Sequence, residues 1–346
     1  MRIWKYIVFI LLAAAFTGCS LVDEDLSDCG TDYNLDYTLT LVTNISTEIS
    51  TELETNISTE LELSAALSIR EYLKNVFTDY AHDVDLSFYD VVGDSLRLHH
   101  EEHIMDANQS SYTLLIPVHH YMHTALANIR NNGLIEVRDG DRCHYEKLHQ
   151  VAGDTLSSHT TGLFTARLPM DIQEGVSQNF NVHLYMANSA TAIVIDTVGS
   201  HIRDLKMYAT GFASDFSVCD SLYYFNSTPV FRMDKLPVEE GGGYCFAAVH
   251  FPSRKPADTK VIIDGEDPFV TPDAESPLWN LKAYVTLPDN TVTETVLGVN
   301  NPIQAGELRV IKVKALRNGA VQPNDPTVGV SVTLDWSSGM EHHVDF

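Results

Sequence analysis

Residues 181–196 read Asn181-Val-His-Leu-Tyr-Met-Ala-Asn-Ser-Ala-Thr-Ala-Ile-Val-Ile-Asp196. From Asn181 to Met186 polar and apolar residues alternate, the two-residue period of a strand with one buried face. From Thr191 to Asp196 the run is apolar and β-branched, which suits a strand covered on both sides. Such segments recur on either side. Upstream are Asp36–Thr43, Val84–Tyr89, Ser95–Leu98, Tyr112–Pro117, His120–Asn128 and Gly162–Leu168. Downstream are Leu205–Thr210, Gly243–Phe251, Lys260–Asp264, Leu281–Leu287, Glu307–Leu316 and Val328–Trp336. Turn-rich breaks separate them, the spacing of an all-β sandwich protein.

One stretch breaks this rhythm. Between Ser64 and Tyr80, Leu67, Tyr72, Leu73, Val76, Phe77 and Tyr80 form a helical stripe, predicting one core-facing helix. Just before it, Asn44-Ile-Ser-Thr-Glu recurs at Asn56. The apolar residues Ile45, Ile49, Leu53, Ile57 and Leu61 fall at every fourth position, a row that drifts around a helix, and residues 44–62 read as a loop insertion. Pro169–Gln178 is polar and interrupted by Pro and Gly, and marks a boundary between domains at 36–175 and 176–346. A length of 346 residues fits two domains.

The chain carries 47 acidic against 22 basic residues, a formal charge of -25. That balance excludes a nucleic-acid partner, which needs a clustered cationic surface, and electrostatic docking on anionic lipid. Residues 1–18 hold Arg2 and Lys5 ahead of an apolar run from Ile7 to Phe16, the pattern of a secretory signal too short to span a bilayer. Its removal takes the charge from -25 to -27. Phe16-Thr17-Gly18-Cys19 resembles the bacterial lipobox, which makes Cys19 the lipid attachment site, acylated for instance by palmitate, and residues 19–35 a lipidated acidic tether. Asp23, Glu24 and Asp25 resemble the surface-export signal of Bacteroidetes lipoproteins. No Lys or Arg occurs from residue 6 to residue 69.

Four further cysteines, Cys29, Cys143, Cys219 and Cys245, match no zinc spacing. They allow three pairings, of which Cys219 with Cys245 is the local one and the candidate disulfide in an oxidising exported setting. Histidines cluster at His99, His100 and His103, at His119, His120 and His123, and at His342 and His343. On strands, residues four apart lie roughly 13 Å from each other and cannot share one metal ion, so these histidines read as structural or surface groups. No G-x-S-x-G, phosphate loop, paired-carboxylate spacing or calcium loop is present, and no catalytic residue, metal site or cofactor is expected. Asp94-Ser-Leu, Asp154-Thr-Leu, Asp196-Thr-Val and Asp220-Ser-Leu resemble Bacteroidetes O-glycosylation triplets, and equally suit ordinary turns.

Cys19, Asp25-Leu-Ser-Asp-Cys29, the strand-turn-strand pattern of Val84–Leu98, Ile116-Pro117 leading to Tyr121 and Ala127-Asn128, and the closing Val332-Thr-Leu-Asp-Trp336 are found together. In this combination the chain resembles the FimB-type minor fimbrial anchor subunits of Bacteroidales, with departures at 44–62 and at Ala127. The resemblance implies two tandem transthyretin-like β-sandwich domains, with the helix in the first, and no enzymatic activity. It further implies an outer-membrane lipoprotein, exposed at the cell surface, that anchors a fimbrium and limits its length. The implied partners are a fimbrial stalk subunit, through strand exchange, and the outer membrane, through lipid on Cys19. The alternative from another class is a surface glycan-binding lipoprotein, with Trp279 and Trp336 as candidate platforms.

Overall fold

The computed structural model describes residues 32–42, 57–77, 81–92, 95–105, 111–130, 132–140, 143, 147–174, 176, 178–238, 242–256, 269–270, 277–324 and 328–336. The signal segment, residues 19–31 of the expected tether with Cys19 and Cys29, the first copy of the pentapeptide repeat, Lys260–Asp264 and the pair His342 and His343 lie outside them, whereas residues 32–35 of the expected tether are described and extended.

The elements begin with β1 (Asp32–Val42), α1 (Glu60–Val76), β2 (Asp83–Val92), β3 (Ser95–Met105), β4 (Ser111–Pro117) and β5 (His120–Ala127). Next come β6 (Ile135–Arg138), β7 (Lys147–Gln150), β8 (Phe164–Asp171), β9 (Asn179–Met186), β10 (Ser189–Asp196) and β11 (Asp204–Thr210). Five short or medium strands follow: β12 (Asp215–Ser217), β13 (Leu222–Tyr224), β14 (Val230–Arg232), β15 (Asp234–Leu236) and β16 (Gly243–His250). The last are β17 (Lys255–Pro256), β18 (Phe269–Val270), β19 (Trp279–Thr286), β20 (Val292–Val299), β21 (Leu308–Ala315), β22 (Val321–Pro323) and β23 (Val328–Trp336). The protein is thus all-β with one described helix, as expected from the strand spacing.

The described strands form four larger sheets and a two-stranded one, β17-β18. A seven-stranded sheet runs β3-β2-β5-β8-β9-β1-β4, antiparallel except for β1 beside β9. A five-stranded sheet runs β15-β16-β10-β21-β22, and a second runs β14-β11-β19-β20-β23. These two face each other across Ile193, Ile195, Phe246, Trp279, Leu281 and Leu297, a sandwich core. The alternation along β16 shows how one strand serves two cores: Phe246 and Ala248 point into the sandwich, whereas Cys245, Ala247 and Val249 point away, toward α1 and the seven-stranded sheet.

α1 starts four residues earlier than the sequence stripe indicates, because Thr59 caps it: its hydroxyl accepts from the Glu62 amide at 3.2 Å. The Glu62 carboxylate accepts in return from the Ser58 amide at 2.7 Å, a variant of the capping box, and reaches Lys312 on β21 at 3.3 Å. Burial and these bonds to the ionised carboxylate act in opposite directions, and the bonds hold the Glu62 pKa below its ordinary value. The buried face is Ala65, Ala66, Ile69, Leu73 and Val76, while Leu67 is 56% exposed. Two alanines at the contact let the helix approach the sheets closely, burying it within the same cluster as Leu86, Phe88, Val182 and Val249.

The chain does not change sheets where the polar 169–178 stretch lies. β9 stays in the seven-stranded sheet, so the passage to the next sheet falls at Ala187–Asn188. Across that passage a four-stranded sheet, β13-β12-β7-β6, joins β6 and β7 to β12 and β13 of the later half. Asn128 ends β5 with φ 65, a left-handed conformation that asparagine tolerates. Its side chain donates to the Gly162 carbonyl at 2.8 Å and accepts from the His82 amide at 2.7 Å, tying the entries of β2 and β8 together. At Gly211, φ is +97 and a Cβ would stand 2.6 Å from the Trp279 Cα, so only glycine fits this corner.

Candidate functional site

The sequence points to four kinds of site: the lipid and export signals, a disulfide, the histidine clusters and the tryptophans. Cys19, Asp23, Glu24 and Asp25 lie outside the described residues. The disulfide differs from the expected one. Cys143 is bonded to Cys219, closing a separation of 76 residues, and Cys245 is free. Cys245 is fully buried on the β16 face that points toward α1, and burial pushes its thiol up to about 12. Cys219 instead follows β12, where it packs with Cys143 against Tyr89 of β2. Local spacing along the chain was a poor guide because the two ends of the β12–β16 region face different cores.

The histidines divide into surface and core. On the seven-stranded sheet, His99 Nδ1 lies 3.1 Å from Asp90 Oδ2 and His119 Nε2 lies 2.9 Å from Asp90 Oδ1, with the two rings stacked 5.6 Å apart. His103 meets Asp85 at 2.7 Å, and Asp85 also accepts from Arg130 at 2.9 Å. His100 meets Glu102 and the exposed His120 meets Asp171. Among the described residues, no group of three or more His, Cys, Asp or Glu side chains is placed to hold a metal ion.

Among the described residues, three imidazoles are buried. His123 lies between Tyr37, whose hydroxyl is 2.5 Å from Nε2, and the Ser87 carbonyl, which accepts from Nδ1 at 2.9 Å. Burial lowers its pKa to about 4. His159 and His250 sit where the chain passes between sheets. Asn188 donates to His159 Nδ1 at 2.9 Å and accepts from the Leu163 amide at 2.7 Å. His250 donates from Nδ1 to the Phe251 carbonyl at 2.7 Å, is bonded through Nε2 to Thr191, and stacks on Phe212 at 3.4 Å. Burial lowers both to about 3. These are neutral structural groups with fixed ring orientation. Trp279 is likewise a core residue, fully buried with its indole N–H donating to the Asn301 carbonyl at 2.8 Å; the Trp336 side chain is outside the described set.

Sequence reasoning did not anticipate a cleft on the outer face of the seven-stranded sheet. β8 and β9 are joined by two register pairs, Phe164 with Met186 and Thr165 with Tyr185, although both strands continue. Pro169 within β8 has no N–H to donate, which accounts locally for a broken ladder. The opening is closed at the far end, where Gln178 Nε2 donates to the Asp171 carbonyl at 2.9 Å and the Asp36 amide donates to the Gln178 carbonyl at 3.2 Å. The cleft encloses about 580 Å³ and is lined by Arg167, Asn181, His183 and Tyr185, with Phe216 and Tyr223 of the four-stranded sheet as a wall. Tyr185 is 59% exposed. The alternation of Asn181, His183 and Tyr185 was legible; that it borders a gap was not, because strand divergence is a tertiary feature.

No family model matches the chain, and no curated protein matches it. Solved structures similar to it include a candidate adhesin from Bacteroides ovatus, at 10% identity and a TM-score of 0.48, covering 93% of this chain and 99% of the other. The fimbrial anchor protein Mfa2 from Porphyromonas gingivalis is similar at 11% identity and a TM-score of 0.46, covering 87% and 97%. A Bacteroides thetaiotaomicron structure described among candidate polysaccharide-binding proteins is similar at 9% identity and a TM-score of 0.46, covering 85% and 96%.

Proposed function

We propose that this chain is a non-catalytic fimbrial anchor subunit of the FimB type: a lipoprotein of the outer membrane, exposed at the cell surface, that holds a fimbrium at its base and limits its length. The observation that carries the reading is the position of β1, the first described element, which begins at Asp32 within the last residues of the expected tether. It is hydrogen-bonded on both sides, with register pairs from Asp32 to Thr38 against β4 and from Asp36 to Val42 against β9. Tension entering through an acyl group on Cys19 loads both ladders along their length, so the pull must break many hydrogen bonds together. The crossing β6–β7–β12–β13 sheet and the Cys143–Cys219 bond then tie the earlier and later strands into one load-bearing body. Asp23, Glu24 and Asp25 serve in this reading as the export signal and hold the body off an anionic surface.

A stalk subunit docking by strand addition needs an unguarded sheet edge. β3, one edge of the seven-stranded sheet, carries the charged Arg97, Glu101 and Glu102 among polar histidines, and charges on an edge discourage pairing. β4, the opposite edge, reads Ser-Tyr-Thr-Leu-Leu-Ile-Pro without a charge and leaves Leu115 51% exposed. β4 is therefore the edge assigned to the partner. Capture of the tagged chain from its native host tests this: co-purification of a polymerising fimbrial subunit, lost on Thr113→Pro, supports it, and a chain recovered alone refutes it.

A further inference from the structure

We infer that the cleft between β8 and β9 is a binding site for an acidic glycan, a short oligosaccharide carrying a carboxylate. Its first support is an unused cation. In a chain with 47 acids and 22 bases, Arg167 is exposed yet forms no ion pair or side-chain hydrogen bond with any described residue. An arginine whose five donors meet no described partner matches a planar carboxylate, which it binds through two parallel bonds.

The surroundings supply the rest of a sugar site. Extending the Thr165–Tyr185 register places Arg167 opposite His183. Asn181, His183 and Tyr185 share the exposed face of β9 at about 7 Å intervals, a short polar row ending on an aromatic ring. None of the three makes a side-chain hydrogen bond or ring contact with a described residue. Tyr185 offers its ring face to the apolar face of a pyranose, and Asn181 and His183 offer donors and acceptors to hydroxyl groups. A volume of about 580 Å³ is within the range of small-ligand pockets.

The closure of the slot at both ends favours a compact ligand over an added strand. The Thr165–Tyr185 pair shuts one end and Gln178 shuts the other, while Pro169 withholds a donor that a peptide strand would need. The site goes beyond anchoring, since it gives the base of a fimbrium an adhesive contact of its own.

Calorimetric titration of the full-length chain in detergent tests the assignment with trigalacturonate and 3′-sialyllactose, each beside its neutral counterpart, galactotriose and lactose. The expected result is binding of at least one acidic probe, at least tenfold tighter than its neutral partner; which probe binds identifies the sugar. Arg167→Ala and Tyr185→Ala are each expected to weaken that binding at least tenfold with an unchanged circular dichroism spectrum and melting temperature. Failure of both acidic probes, equal binding of a neutral one, or binding unaffected by either substitution overturns the inference.

Discussion

Lowering the pH from 7 to 5 should destabilise this protein steeply, and the three buried histidines set how steeply. His123, His159 and His250 are held neutral, with native pKa values of about 4, about 3 and about 3. In the unfolded chain each imidazole returns to about 6.5. The unfolded state therefore binds protons first, so the stability these groups permit is complete above about pH 6.5 and falls as the pH drops toward the native values. Each contributes a loss of about 1.4 kcal/mol per pH unit, roughly 2 kcal/mol by pH 5, and the three together roughly 6 kcal/mol. A typical domain has about 5–15 kcal/mol in total, so the protein should be at or near its unfolding threshold at pH 5. Urea titrations at pH 7, 6 and 5 measure this, and their slope counts the protons taken up on unfolding. The expected uptake approaches three near pH 5, and His250→Gln should lower it by one whatever it does to stability at pH 7. An uptake below one would show that these rings are hydrated and would refute the burial argument.

Reducing the Cys143–Cys219 bond should cost roughly 4–5 kcal/mol, the chain-entropy figure for a loop of this length, read as a lower urea midpoint with reductant present. Iodoacetamide should leave Cys245 unmodified until the protein is denatured, which peptide mass spectrometry checks. Lys282→Met leaves Glu294 buried without its partner at 2.8 Å and should cost about 3–5 kcal/mol; Lys282→Met with Glu294→Leu should recover most of it, measured by the same urea titration.

Most of the strands were legible because alternation is local. Asn181–Met186 and Thr191–Asp196 became β9 and β10 nearly as read. β20 was overlooked although Val292-Thr-Glu-Thr-Val-Leu-Gly-Val299 has a strand's composition; the signal available was the Asp289-Asn290 turn before it, where Asn290 adopts φ 68. The helix start was also written in the sequence, as Thr59-x-x-Glu62, but the repeat around it drew the reading toward a loop. Leu67 belonged to the predicted stripe and Ala65 did not, because hydrophobicity cannot reveal that a small residue makes the closest contact. Three features were beyond local reading. The β7–β12 ladder, the Cys143–Cys219 bond and the β8–β9 opening each join or separate segments by tertiary placement, and no spacing along the chain encodes them. The lipid and export residues remain proposals carried by the sequence alone.

In the proposed function, acylation at Cys19 fixes a fimbrium to the cell. The most direct measurement is cell fractionation with electron microscopy of the native host carrying Cys19→Ala. The expected result is that the protein leaves the outer-membrane fraction and that assembled fibres appear in the medium instead of on cells. Fibres that stay attached to cells in that variant would contradict it.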